Sequence, residues 1–330
     1  VRIVTLLLYH MPALDTADPA PSLPALGFVL GRGARTRPPQ VDAISWLCSR
    51  FGLSRQPDWP VAPLLARAAG LAAPFRGWLC ADPVHLELRQ GHAIVAPPAP
   101  SLSETESTQM VTALDRHFRE CDLRFFAFDR NRWLINTSLP AAFLSSPLPA
   151  AGGHIAGGPD AARWNALLTE AQMLLHAHPV NSERLTRSEP EVNSLHLWGA
   201  GTDPQPRPAD ALVAGDDPLL LALAAAATVP VIASASDLLD RVQAGADASA
   251  LVVPRVPESA DAVAHWLAGI EHDWLAPLLH GARRGRIDRL EIVAAQPQAL
   301  LGLALTPATV WRVWRAMRAL GQRLSRAPTL

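Results

Sequence analysis

The chain contains no lysine, so each of its 29 fixed cations is an arginine. Together with abundant alanine and proline, this reads as a mutational bias when set against average usage. Cysteine is almost as scarce. Cys48, Cys80 and Cys121 stand far apart with no CxxC pair, which excludes a disulfide framework and a zinc site of ordinary spacing. A reduced, cytoplasmic compartment is expected. Excess charge of either sign is missing too: the net charge is −1 at pH 7, which argues against a general polyanion binder. Long apolar runs are absent. The stretch from Val1 to Leu8 is too short to span a bilayer and lacks a small-residue cleavage site, so it reads as a first buried strand. The apolar stretch Pro218 to Val229, at about a dozen residues, reads as a core helix. What is present suffices for a sizeable core: 330 residues, 49% apolar, 18% charged, mean hydropathy +0.12. Long disordered stretches are not expected, and the length permits one large domain or two smaller ones.

Turn and cap signals divide the chain. Asp42 is an expected N-cap for a helix over 43–51 closed by Gly52, and another helix is expected over 60–69. Residues 78–86 and 93–95 read as strands around a Gln90-Gly91 turn. Ser103 with Glu106 forms a capping box opening an amphipathic helix to about Cys121. Residues 123–128 and 132–136 alternate like the arms of a hairpin. Residues 77–149 thus read as a small inserted α+β subdomain, and 1–76 with 150–330 as the core. The second half alternates helices (159–176, 218–229, 236–243, 259–280, 307–324) with strands (194–198, 229–233, 250–253, 290–293). That alternation implies a mainly parallel sheet with flanking helices, an α/β fold.

Four polar constellations invite a chemical reading. The densest runs from His176 through His178, Asn181 and Arg184 to Asn193 and the strand ending at Trp198. His176 and His178 lie where a helix stops before Pro179, and the loop lacks a third metal ligand. The plainer reading has His176 against the helix dipole and His178 with Asn181 tying the turn. Gly199-Ala200-Gly201 resembles half of a dinucleotide fingerprint, but Asp203-Pro204-Gln205-Pro206 stands where a helix should begin. Glu271, His272 and Asp273, with His265 on the same helix, read as a solvated face. Trp311, Trp314 and Met317 alternate with Arg312, Arg315 and Arg318, which suits single-stranded nucleic acid but suits helix packing better at neutral net charge. There is no GxSxG elbow, P-loop or HExxH motif.

Two family resemblances follow from these segments. Trp78 to Leu86, Glu170 to Asn181, Asn193 to Gly201 and the end from Trp311 resemble the bacterial regulatory proteins of the RpfE type over nearly the whole chain. More distantly, His178-Pro179-Val180-Asn181, Arg184 and the strand from Asn193 to Gly201 resemble the HPxN…R and N-x-(I/L)-W-L-W-G-x-G segments of archaeal-type cofactor-independent phosphoglycerate mutases, members of the alkaline phosphatase superfamily. Ser236 to Leu239 and Gly269 to Asp273 occur in the matching order. The resemblance implies an alkaline-phosphatase-like, mainly parallel sheet with an inserted subdomain, and an activity that needs two divalent metals and a hydroxyl nucleophile.

This sequence departs from that pattern at the metal ligands. Leu8-Tyr9-His10-Met11 stands where an Asp should follow the first strand. Ala294-Ala295-Gln296 replaces an Asp-His pair, and 254–260 lacks the expected Asp and His. The expectation is therefore a non-catalytic regulatory or binding protein with no metal and no cofactor. Its ligand site is expected near His178, Asn181, Arg184, Asn193 and Trp198, taking a small phosphorylated ligand or a protein partner, without nucleic acid or membrane. The alternative is an active mutase or related phosphohydrolase with a metal site rebuilt from His10, Asp15 and His265.

Overall fold

The computed structural model describes residues 1–9, 22–40, 42–56, 58–89, 92–96, 99–140, 161–245, 248–257, 262–296 and 299–310. In chain order the first elements are β1 (Ile3–Leu8), α1 (Pro24–Arg32), β2 (Ala34–Thr36), α2 (Ala43–Arg50), α3 (Val61–Ala68), β3 (Gly77–Val84), β4 (Leu86–Arg89), β5 (His92–Val95), α4 (Glu104–Phe118), β6 (Leu123–Asp129) and β7 (Arg132–Thr137). There follow α5 (Ala161–His176), α6 (Pro179–Thr186), β8 (Ser194–Gly201), β9 (Leu212–Ala214), α7 (Pro218–Ala227), β10 (Val231–Ile232), α8 (Ala235–Ala244), β11 (Ser249–Val252), α9 (Val263–Ile270), α10 (Ala276–Arg283), β12 (Arg289–Gln296), β13 (Ala299–Leu305) and α11 (Pro307–Val310). No helix among the described residues is long and apolar enough to cross a membrane. Two compact units divide the chain: Val1–Gly52 with Pro206–Leu330, and Leu53–Gln205.

The first unit is built on a seven-stranded sheet ordered β10-β9-β11-β1-β12-β13-β2. Its first five strands are parallel, and β13 runs antiparallel between β12 and β2 at the far side. The fold is therefore α/β with a large, mainly parallel sheet flanked by helices. The apolar run of β1 explains its central place. Val4, Leu6 and Leu8 pack with α1, α8 and α10, while Leu7 between them is buried as well, as parallel strands covered on both sides require. The strands β2 and β13 are not among those expected from the sequence, and the expected helix over 307–324 is described only as α11.

A carboxylate links distant parts of this unit. Pro24 opens α1, but Leu23 offers no side-chain cap. Glu271 supplies the acceptor instead, taking hydrogen bonds from the N–H groups of Ala25 and of Leu26, the latter at 3.1 Å. Glu271 begins a single π-helical turn, Glu271–Leu275, between α9 and α10. Such a bulge shifts the angular position of side chains along a helix, and here Glu271 is buried while His272 and Asp273 stay exposed. Glu271 thus corrects the expectation that all three form a solvated face: orphan N–H groups at the start of α1 need an acceptor. Glu271→Ala is expected to cost about 1–3 kcal/mol, the desolvation penalty of N–H groups left without a partner. Denaturant unfolding measures this, and a loss near zero would mean water replaces the carboxylate.

The second unit carries an antiparallel sheet ordered β6-β7-β3-β8. With β3, α4, β6, β7, α5 and β8 in sequence, it has the β-α-β-β-α-β arrangement in which the first strand lies beside the third and fourth. The hairpin β4–β5 is inserted after the first strand. Met110, Leu114 and Phe118 of α4 and Trp164, Leu168 and Ala171 of α5 pack onto Leu79, Ala81, Trp133, Ile135, Leu195 and Leu197. The capping box at Ser103 and Glu106 forms as expected from the sequence, and Asp115 ties α4 to β6 through Arg124 and the Phe125 N–H. The stretch 77–149 lies inside this unit, which also takes α3, α5, α6 and β8. Strand β8 was expected in the parallel sheet. It pairs antiparallel with β3 instead, because its alternating Leu195 and Leu197 are buried in this unit's own core.

Candidate functional site

The polar segment after α5 folds as a second short helix rather than as a loop. His178 is the N-cap of α6, with its Nδ1 accepting from the Val180 N–H at 3.3 Å. Burial holds the His178 imidazole below its ordinary value of 6.5, opposed by a backbone hydrogen bond involving Gln109, which suits a ring nitrogen that must accept rather than donate. Because the unfolded chain binds this proton more tightly, the stabilisation is present above the ordinary value and is lost as pH falls below it. Thermal unfolding followed from about pH 7.5 to about pH 5.5 is expected to show that decline. It should flatten in His178→Asn, which keeps a capping acceptor without a titrating group. An unchanged slope in that variant would assign the decline elsewhere.

The other residues expected near a ligand are placed as follows. Asn181 is buried, donating from Nδ2 to the carbonyls of Leu175 and Val192 at 2.7 and 2.8 Å and accepting from the Val192 N–H at 2.9 Å. Asn193 mimics a strand partner for Leu86, accepting from its N–H at 2.7 Å and donating to its carbonyl at 2.9 Å. Arg184 is 1% exposed. It donates to the carbonyls of Pro190 and Ser101 and to both carboxylate oxygens of Glu106, and it pairs with Glu189 at 3.3 Å. The structure brings His178, Asn181 and Arg184 together on α6, and Asn193 leads into β8 beneath them. Trp198 belongs to a separate constellation on β8.

That constellation joins three strands. Trp198 donates from Nε1 to Asp82 at 2.9 Å, and Arg132 reaches the same carboxylate at 3.1 and 3.2 Å while lying over the indole at 4.9 Å. Burial weakens the Arg132 charge, but Asp82 outweighs it and leaves the guanidinium proton held more tightly than usual. Cys80 beside it is buried, and burial pushes its thiol well up, so it is no nucleophile at neutral pH. The pairing of Asp82 with Arg132 carried no sequence signal: they lie fifty residues apart, and only strand pairing brings them side by side.

The half fingerprint at Gly199-Ala200-Gly201, weak in the sequence for want of a following helix, has a packing role. These residues finish β8, with a register shift opposite Trp78 and Cys80 and Gly199 at φ 68°. The Gly199 N–H already donates to the buried Asp58 carboxylate at 2.7 Å. A Cβ on Gly201 would sit 2.5 Å from that of Pro60. The glycines allow Val61 and Pro60 to pack closely against this turn.

In open α/β sheets, ligands bind beyond the carboxyl ends of strands where the chain reverses its direction of winding. In the first unit that point lies between β9 and β11: β9 leads through α7 to β10 on one side, while β11 leads through α9 and α10 to β12 on the other. Asp216 follows β9 and accepts from the Arg255 N–H at 2.7 Å. Asp217 caps α7 through the Leu220 N–H at 2.9 Å and accepts from the Tyr9 hydroxyl at 3.5 Å. The sequence placed the helix α7 and the strand β11 here, but not β9. The remaining strand ends carry Leu8, Val252 and Ala294-Ala295-Gln296. Among the described residues no three His, Cys, Asp or Glu side chains form a group able to hold a metal ion. His265 lies on α9, whereas His10, Asp15, Trp311, Arg312, Trp314, Arg315, Met317 and Arg318 lie outside the described residues.

No family model and no curated protein matches the chain. Among solved structures, the PH0037 protein from Pyrococcus horikoshii superposes with a TM-score of 0.50 at 15% identity, over 92% of this chain and 87% of that one. A cofactor-independent phosphoglycerate mutase from Thermoplasma acidophilum superposes with a TM-score of 0.42 at 16% identity, over 92% and 89% of the two chains. The likeness to the Pyrococcus protein shows the fold alone, and the weaker superposition on the mutase adds nothing to it.

Proposed function

We propose that this chain is a non-catalytic regulatory or binding protein of the RpfE type, built on a phosphoglycerate-mutase-like scaffold of the alkaline phosphatase superfamily and acting in the cytoplasm. The sequence segments around His178 to Arg184 and Asn193 to Gly201 support the relationship. The observation that carries the functional reading is the chemistry of the described strand ends. Two divalent cations need several carboxylates and imidazoles converging on them. The parallel strands β1, β11 and β12 end instead in Leu8, Val252 and Ala294-Ala295-Gln296. Asp216 and Asp217, after β9, already accept backbone N–H groups. We read so few donors at these described strand ends as a poor match for paired metals, and no phosphoryl-transfer step is assigned.

Candidate binding residues are His178, Asn181, Arg184, Asn193 and Trp198, by resemblance. Their internal hydrogen bonds favour a scaffold role for Asn181, Arg184, Asn193 and Trp198, which leaves the exposed surface around His178 as the place for a partner or a small phosphorylated ligand. The test is elemental analysis of purified protein combined with a coupled mutase assay. Substoichiometric Mn and Zn and no turnover are expected. Stoichiometric metal with turnover overturns the proposal in favour of an active mutase or phosphohydrolase.

A further inference from the structure

We draw no further inference here: the strongest candidate, the uncharged outer surface of α7 at Leu221 and Ala225 with the exposed Val231 of the edge strand β10, is an unpartnered apolar face, and nothing in the structure shows what covers it.

Discussion

Replacing Arg184 with methionine is expected to destabilise the protein by about 3–5 kcal/mol, the usual consequence of removing one partner from a buried ion pair. Methionine fills similar volume, so the loss is electrostatic and hydrogen-bonding rather than a cavity. The change strips donors from the Pro190 and Ser101 carbonyls and leaves Glu106, itself part of the α4 capping box, with the exposed Arg187 in place of its buried cation. Lysine should rescue only part of this, because a single ammonium cannot reproduce the planar fork that reaches several acceptors. Denaturant midpoints measure the effect, and a loss under about 1 kcal/mol in Arg184→Met would show that the pair is weak. Glu106 adds a pH signature. Burial raises its proton affinity, but hydrogen bonds from Ser103 and the nearby Arg184 outweigh it and hold the carboxyl below its ordinary 4.5. Its contribution is therefore present above that value and is lost as pH falls through the lower folded one. Glu106→Gln should flatten that acid limb.

Gly215→Ala is expected to cost about 3 kcal/mol or more, summing backbone strain and steric overlap. Gly215 sits at φ 112°, which an L side chain rarely adopts, and its Cβ would overlap the Val253 carbonyl oxygen. Gly70 is the control. It also has a positive φ, at 64°, but nothing lies within 4 Å of a Cβ there, so Gly70→Ala should cost only about 1–2 kcal/mol, the left-handed penalty alone. Similar losses at both positions would mean that the β9 and β11 ends move apart freely. The position matters because Gly215 allows the chain leaving β9 to pass close to Val253 and so brings Asp216 within reach of the Arg255 N–H.

Local chemistry was legible wherever the partner lies within a few residues. Asp42 caps α2 through the Ser45 N–H, Ser103 and Glu106 close their box, and the apolar stretch from Pro218 forms its helix. The polar run from His178 to Arg184 was legible as composition but not as purpose. Its residue types suit either a ligand or a turn, and only the positions of Leu175, Val192, Pro190 and Ser101 show where the side-chain atoms go. The glycines of Gly199-Ala200-Gly201 were ambiguous for a related reason. Glycine permits close approach without saying what approaches, and here Pro60 and Val61 do.

By itself the sequence determined most of the helices and strands, the alternation that builds a mainly parallel sheet, and the residue types available at each strand end. Those depend on period, cap and turn chemistry, which act over one or two turns of chain. Tertiary structure alone decided that β8 leaves the parallel sheet for β3, that Glu271 caps a helix 246 residues before it, and that Asp82, Arg132 and Trp198 meet. Each of these contacts joins residues far apart in the chain, and burial selects such pairings only once the surrounding core exists.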